Sequence, residues 1–356
     1  PIPVPPQQSI PKCMVHDAIL NPPISWWGLY SFCGPAEEQW TEYVYPAPGC
    51  SEIHMIWTDS PCWTTCWNDS NKFIEALLSP KIECIVAQHP WLENDCLFAD
   101  LILPVATRYE LEDIGSDEGS GTFVTTFVEE HCIDPVGESV GDFEAVAKIA
   151  AKLGLYEEYT KGVSPRDVMR IFYEASDMPQ LMSYEELCEK QYAVVPCDPD
   201  VQKEPAGLYE FYKDPKNHPL TTPTGLLEFS STKLEKHFPL DEERPPVPRW
   251  IEKGESHDER LTSERAKDYP LLCVSNHGRW RMHAQGDDIT WTREIPTMKV
   301  RGWDGYLYEP VWLHTSEAEK RGIAHGDIVK VYNERGIVLG GAYVSERLAP
   351  HCTYVD

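Results

Sequence analysis

The order of two apolar segments around one polar segment constrains the fold of this chain more than any other feature. Residues 53–57 (IHMIW) and 82–87 (IECIVA) have the apolar content of buried strands, and residues 68–78 between them have helical character. Strand, loop, helix and strand in this order predict a parallel βαβ unit. Because ligands bind at the carboxyl ends of parallel strands, we expect a binding site just after each apolar segment.

Further elements are predicted around this unit. Residues 99–104 form a short apolar run that Pro104 ends, and residues 142–155 place apolar side chains on one helical stripe. Capping-box spacing at Ser164 and at Ser183 predicts two more helices. A short helix is also predicted around residues 15–20.

The last quarter of the chain has the pattern of a small β domain. Short strands are predicted at residues 271–274, 328–332, 337–339 and 342–344, with a hairpin turn at 333–336. A short helix over residues 316–321 should end at Gly322.

We therefore predict an α/β chain in which a Rossmann-like parallel-sheet domain precedes a small β-barrel. The expected boundaries are 1–197 for the first domain, 198–267 for an extended connection, and 268–356 for the β domain. The chain begins without a methionine and ends just after a predicted strand, so we expect both domains to be partial.

Charge and composition exclude several classes of protein. The net charge of −27, from 58 acidic and 31 basic residues, argues against nucleic-acid binding, which needs a basic face. We find no apolar run of about 18 residues, so no membrane span is predicted.

The 12 cysteines are scattered, which favours reduced thiols in a cytoplasmic or anaerobic setting over a disulfide framework. Cys62 and Cys66 have no second pair at metal-ligand spacing, so we favour loop thiols over a zinc or iron–sulfur site.

A basic segment stands out against this acidic background. Arginine suits phosphate, and amide side chains suit a heterocycle, so an anionic cofactor is the predicted ligand. A solvated basic face that neutralises nearby carboxylates is the alternative. The candidate residues in this segment are Ser275, Asn276, His277, Arg279, Arg281, His283 and Gln285.

Polar side chains also follow the two predicted parallel strands, where a nucleotide would lie. Ordinary turns are the alternative interpretation. Walker, G-x-G-x-x-G, nucleophile-elbow and H-E-x-x-H patterns are absent from the sequence, which weighs against common ATP, NAD, esterase and zinc-protease sites. The candidate residues are Thr58, Asp59, Ser60, Gln88, His89, Trp91 and Glu93.

Taken in order, several segments resemble the second half of catalytic subunits of the DMSO-reductase family. Residues 99–114 are similar to its A-D-I-x-L-P…E-x-x-D segment, and residues 214–229 to its D-P…P-L-x-T-P-S-G-x-I-E run. Residues 309–336 resemble the start of its dinucleotide-binding, double-psi-type barrel. Within the family, residues 45–49, 134–139 and 176–179 resemble pyrogallol–phloroglucinol transhydroxylases and catechol dehydroxylases.

This resemblance implies a molybdenum ion held by two molybdopterin guanine dinucleotides. It also implies a polyphenol substrate, transfer or removal of a hydroxyl group, and a partner subunit that carries iron–sulfur clusters. The post-strand loops would contact guanosine, and the basic segment would contact pterin and phosphate. The family's metal ligand and most substrate-facing residues lie in its first half, so no catalytic or metal-binding residue is predicted here.

Two alternatives stay open at this stage. One is another redox activity of the same family, such as oxide reduction or formate oxidation. The other is a cofactor-free structural homologue within a larger complex.

Overall fold

A computed structural model describes residues 8–28, 40–116, 125–196, 207–251 and 258–355. The helices are α1 (Val15–Leu20), α2 (Trp63–Cys66), α3 (Ser70–Leu77), α4 (Asp142–Lys152), α5 (Tyr156–Thr160), α6 (Pro165–Glu174), α7 (Tyr184–Lys190), α8 (Tyr209–Lys213), α9 (Thr232–His237), α10 (Thr290–Arg293) and α11 (Thr315–Arg321). The strands are β1 (Ile24–Trp27), β2 (Glu42–Tyr45), β3 (Met55–Thr58), β4 (Cys84–His89), β5 (Leu101–Pro104), β6 (Asp113–Ser116), β7 (Thr125–Glu129), β8 (Tyr192–Val194), β9 (Leu272–Val274), β10 (Val300–Arg301), β11 (Leu307–Tyr308), β12 (Pro310–Leu313), β13 (Ile328–Asn333), β14 (Gly336–Val344) and β15 (Cys352–Val355). Short 3-10 turns lie at Lys12–Met14, Asn94–Phe98, Met178–Gln180 and Glu264–Lys267.

The predicted parallel unit is confirmed. Strands β3, β4 and β5 form a parallel sheet in that order, and α3 connects β3 to β4. Ile56 and Ile85 point toward α1 and α3, where they form a core with Ile19, Ala76 and Leu77. Because the three strands run parallel, the polar residues at their carboxyl ends lie at one edge of the sheet.

A second, antiparallel sheet lies further along the chain. Strands β6, β7 and β8 pack against α6 and α7 through Tyr173, Tyr184 and Leu187. Both predicted capping boxes are present, since Ser164 and Ser183 each accept from the backbone N–H three residues ahead. The predicted helix at 142–155 is α4, which ends shortly before Gly154 (φ +75°).

The β domain is built on a five-stranded curled sheet in the order β13-β14-β12-β15-β9. It mixes antiparallel pairs with two parallel pairs, β12 with β14 and β9 with β15. Its core contains Val311, Leu313 and Ala318. The predicted hairpin turn lies between Asn333 and Gly336, and the predicted helix ends at Gly322.

One prediction in this domain is wrong. Residues 337–339 and 342–344 are not two strands but parts of the single strand β14. The strand continues through Gly340 and Gly341, which pair with Val329 and Ile328 of β13, and neighbouring segments pass close to both glycines. A Cβ atom on Gly341 would lie 2.6 Å from Cβ of Val300, and one on Gly340 would overlap Val311. The glycines therefore allow close packing and do not mark a turn.

The region predicted as an extended connection packs onto the amino-terminal hairpin of β1 and β2. Its residues 198–206 and 252–257 lie outside the described part of the chain. Within it, α9 ends in an aromatic cluster, where Trp27 lies 5.8 Å from Phe238 and Trp40 stacks on His237 at 5.4 Å. This part of the connection is therefore folded against the first domain.

Two general properties complete the description. The described cysteines are free thiols. Within the described ranges, none of the helices has the length and apolar content needed to cross a membrane.

Candidate cofactor site at the junction of the two domains

The carboxyl ends of β3 and β4 are joined by a hydrogen bond. His89 Nδ1 lies 2.8 Å from the carbonyl oxygen of Asp59. A carbonyl oxygen can only accept, so Nδ1 carries the proton. Thr58 is buried at the end of β3, and its hydroxyl accepts from the backbone N–H of Ser60 at 3.1 Å. The structure therefore brings Thr58, Asp59, Ser60 and His89 together.

Gln88 has a structural role at this edge of the sheet. Its side-chain carbonyl accepts from Trp57 Nε1 at 3.0 Å, and its amide donates to Asp142 Oδ1 at 2.6 Å. The side chain thus links β3, β4 and the start of α4. Trp91, which follows two residues after β4, is exposed.

Glu93 is the most buried member of the predicted set, with 1% of its surface exposed. One carboxylate oxygen accepts from the backbone N–H of Gly286 at 2.6 Å. The same oxygen lies 3.7 Å from His89 Nε2. Burial opposes protonation of His89, but the contacts to Glu93 and to the Asp59 carbonyl outweigh it, so the pKa of His89 is raised.

The turn around Gly286 makes a second and a third contact with the first domain. Asp288 Oδ2 accepts from the backbone N–H of Leu92 at 3.1 Å. The side chain of Gln285 lies beside the buried thiol of Cys62. Burial, aided by the nearby Cys66, raises the pKa of Cys62 to about 12, so this thiol stays protonated.

Three buried polar atoms at this junction have no hydrogen-bond partner among the described residues. They are His89 Nε2, Glu93 Oε2 and Asp288 Oδ1. Leaving a buried polar atom unpaired costs about 1–3 kcal/mol, so native sites usually satisfy such atoms with water or a ligand. The carboxylate oxygens require donors, which makes the junction suited to a ligand with N–H groups.

Most of the basic segment is exposed beside this junction. Ser275, Asn276, His277, Arg279 and His283 are all exposed. The rings of His277 and His283 lie edge to face at 4.6 Å, and Arg279 lies over Trp280 at 5.2 Å. His283 has a positive φ of 55°, which is uncommon for residues other than glycine.

Arg281 points into a charge network. Its guanidinium donates to both carboxylate oxygens of Glu309, at 2.8 and 3.2 Å, and lies 3.4 Å from Asp287. Lys299 bonds the same two carboxylates, reaching Asp287 at 2.6 Å. Burial raises the pKa of Asp287, but Lys299 and Arg281 outweigh it, so the pKa is lowered overall.

Sequence reasoning missed four residues of this junction: Asp287, Asp288, Lys299 and Glu309. The adjacent acids Asp287 and Asp288 could have been found, because they follow the basic segment within a few positions. Lys299 and Glu309 carry no sequence signal, since only the fold brings them to Arg281. Across the described residues, no group of three or more His, Cys, Asp or Glu side chains is placed to hold a metal ion.

Comparison with known sequences finds a matching family and similar proteins. Residues 274–356 match the family described as Molydopterin dinucleotide binding domain. The pyrogallol hydroxytransferase large subunit of Pelobacter acidigallici is 31% identical over 371 residues, covering 96% of this chain and 42% of that protein. The dimethyl sulfoxide/trimethylamine N-oxide reductase of Cereibacter sphaeroides is 30% identical over 349 residues, covering 96% and 38%.

A solved structure supports the fold. Acetylene hydratase from Pelobacter acetylenicus aligns with a TM-score of 0.51 over 80% of this chain and 34% of that one, at 18% identity. The chain thus spans less than half the length of the relatives it matches.

The match over residues 274–356 identifies a molybdopterin dinucleotide-binding domain in this chain. The chain belongs to the DMSO-reductase family of molybdopterin oxidoreductases. The family resemblance seen in the sequence is confirmed. Membership implies molybdenum carried by molybdopterin guanine dinucleotide.

Proposed function

We propose that this chain is the cofactor-binding part of a molybdenum enzyme that transfers hydroxyl groups between polyphenols or removes them reductively. The observation that carries the proposal is the match to the pyrogallol hydroxytransferase large subunit, which extends over 96% of the chain. The proposed cofactor is a molybdenum ion with two molybdopterin guanine dinucleotides.

The junction residues fit one nucleotide of this cofactor. Glu93 and Asp288 each present a buried carboxylate oxygen without a partner among the described residues, and guanine has N–H groups that such oxygens accept. His89 ends β4 and Trp91 lies with Glu93 in the loop that follows, whereas Asp59 and Ser60 lie in the loop after β3. We propose that these residues, together with Thr58 and Gln88 behind them, form the guanosine side of the site.

The basic segment would supply the phosphate and pterin side. His277, Arg279 and His283 are exposed cations or donors, and Ser275, Asn276 and Gln285 are polar partners for a heterocycle. Arg281 belongs to the same segment. The bound cofactor supplies the redox chemistry, while this chain's residues bind it, orient it and limit its exposure to water.

We extend the proposal to the architecture and the assembly. The curled sheet, with its parallel pairs next to antiparallel ones, supports a double-psi-type barrel over residues 268–356. The boundaries 1–197 and 198–267 describe the α/β domain and its connection. An iron–sulfur electron-transfer subunit is the proposed partner, since the matched relative is named as a large subunit. A cytoplasmic location is proposed from the cysteine pattern.

Assay of the purified holoenzyme tests the function. We expect molybdenum, guanine nucleotide released by acid, and conversion of trihydroxybenzenes that is detected by chromatography. Reduction of trimethylamine N-oxide or dimethyl sulfoxide, or oxidation of formate, without polyphenol conversion would assign another activity of the family. Absence of both molybdenum and guanine nucleotide would favour a cofactor-free structural homologue.

A further inference from the structure

Four charged side chains form a compact network on one side of the basic segment: Arg281, Asp287, Lys299 and Glu309. Only 10% of the Arg281 side chain and 5% of the Lys299 side chain is exposed. Two cations and two carboxylates balance within the network. Since a buried charge is stable only when it is paired, each member depends on the others.

We propose that Arg281 and Lys299 are positioning residues of the dinucleotide site, acting through Glu309 and Asp287 without touching the cofactor phosphates. This inference rests on the proposed function and assigns its basic residues two separate roles. His277, Arg279 and His283 would meet the ligand, and the network would hold them in place.

The hydrogen bonds of Arg281 support the positioning role. Its guanidinium donates to both carboxylate oxygens of Glu309. Such paired hydrogen bonds are among the strongest that arginine forms with a carboxylate. A phosphate would have to displace this carboxylate. The displaced Glu309 would then lie close to the incoming phosphate, and repulsion between these like charges opposes the exchange.

The position of the network in the chain explains what it holds. Asp287 is flanked by Gly286 and Asp288, which bind the segment after β4. Gly286 and Asp288 therefore attach this turn to the α/β domain. Arg281, on the amino-terminal side of the turn, is attached through the network to Glu309, just before β12. His283, with its positive φ, lies between the two attachments, and its uncommon backbone conformation requires such support.

Binding of GDP, used as a fragment of the dinucleotide, distinguishes positioning from direct contact. The assay uses the complete protein with its partner subunits, produced without cofactor, and measures the dissociation constant by calorimetry. We expect Arg281→Ala and Glu309→Gln each to weaken GDP binding by about 10–100-fold, the range of residues that orient a ligand-contacting group. The double variant should bind GDP no more weakly than the single variant with the larger loss, since both substitutions disrupt the same network.

Direct contact predicts a different pattern. If Arg281 binds phosphate, Glu309→Gln releases it, so GDP binding stays unchanged or tightens while Arg281→Ala weakens it. Opposite effects of the two variants would overturn the proposal.

Controls separate misfolding and failure of the proposed function. Glu294→Gln is the matched control, because Glu294 is exposed and pairs with Arg301, outside the network. If Glu309→Gln does not melt cooperatively, Asp287→Asn removes a smaller part of the network and should weaken GDP binding in the same direction. A folded Asp287→Asn protein with unchanged affinity would refute positioning. Wild-type protein that binds no GDP would instead refute the proposed function, and this inference with it.

Discussion

The carboxylate of Glu93 accepts a 2.6 Å hydrogen bond from the backbone N–H of Gly286, a residue 193 positions later in the chain. This contact joins the parallel sheet to the basic segment. It places the two sets of predicted cofactor residues on either side of one junction. The sequence shows these residues only as two separate patterns. The fold brings the two sets together at one junction.

Loss of the Glu93 carboxylate should loosen this junction. We expect Glu93→Ala to lower the free energy of unfolding by about 1.5–3 kcal/mol, the contribution of a hydrogen bond to a charged group. Glu93→Gln should lose less, because its side-chain carbonyl still accepts from Gly286. Urea unfolding provides the measurement. Glu83→Gln is the control, since Glu83 is 75% exposed and its pairing with His54 should contribute little.

The raised pKa of His89 predicts a pH dependence. A group with a raised folded pKa stabilises the fold fully below its unfolded pKa, about 6.5 for histidine, and loses that contribution as pH rises through the folded value. The stability difference between wild type and His89→Gln should therefore be larger at about pH 5.5 than at about pH 8.5. His54→Gln, which removes an exposed imidazole, is the control for the substitution itself. A constant difference for His89→Gln across this range would contradict the assigned contact.

Glu317 predicts the opposite dependence in the β domain. Lys320 and Arg321 lower its pKa to about 2, and the side chain is 2% exposed. Its stabilisation is full above the unfolded pKa, about 4.3, and is lost as pH falls through the folded value. We expect Glu317→Gln to be less stable than wild type near neutral pH by about 1.5–3 kcal/mol, with a smaller difference in acid.

The control for this prediction lies on the same helix. Glu319 is exposed, so Glu319→Gln should leave the free energy of unfolding within about 0.5 kcal/mol of wild type. Denaturant unfolding followed from neutral to acid pH compares the two variants. Equal stability of Glu317→Gln and Glu319→Gln near neutral pH would count against a stabilising role for the buried carboxylate.

Close packing at Gly341 predicts a steric cost. A Cβ atom there would lie 2.6 Å from Val300, so Gly341→Ala must displace either β10 or β14. We expect a loss of about 1–3 kcal/mol, as for other overpacked cores. Gly336→Ala is the control, because a Cβ atom there would meet none of the described residues within 4 Å and the φ of Gly336 is not positive. Similar melting temperatures for the two variants would show that the strand adjusts without cost.

Local patterns predicted most of the elements. Alternating or clustered apolar residues identified β3, β4 and α4, and capping boxes located the starts of α6 and α7. These signals act over a few residues, so they can be read from the chain alone. The pair Gly340 and Gly341 was misread as a break, because the reason for it, contact with Val300 and Val311, comes from distant segments.

The candidate site shows the same division between local and distant information. Proximity to strand ends singled out His89 and Glu93, but their partners Asp59 and Gly286 come from other loops. The Arg281 side chain has the chemistry of a phosphate ligand. Its bonds to Glu309 depend on a residue 28 positions away, which no spacing rule indicates. Cofactor contacts by individual residues therefore remain predictions.

The parallel pairing of β9 with β15 also has a consequence for biosynthesis. Leu272 pairs with Cys352, so β9 gains its partner β15 only after the residues between them have been made. At about 5–20 residues per second, a ribosome needs on the order of 4–16 s to make the chain between them. During that interval β9 has an unpaired edge, a feature that promotes association with other chains. Pairing of β9 therefore comes late in synthesis, after β15 has been made.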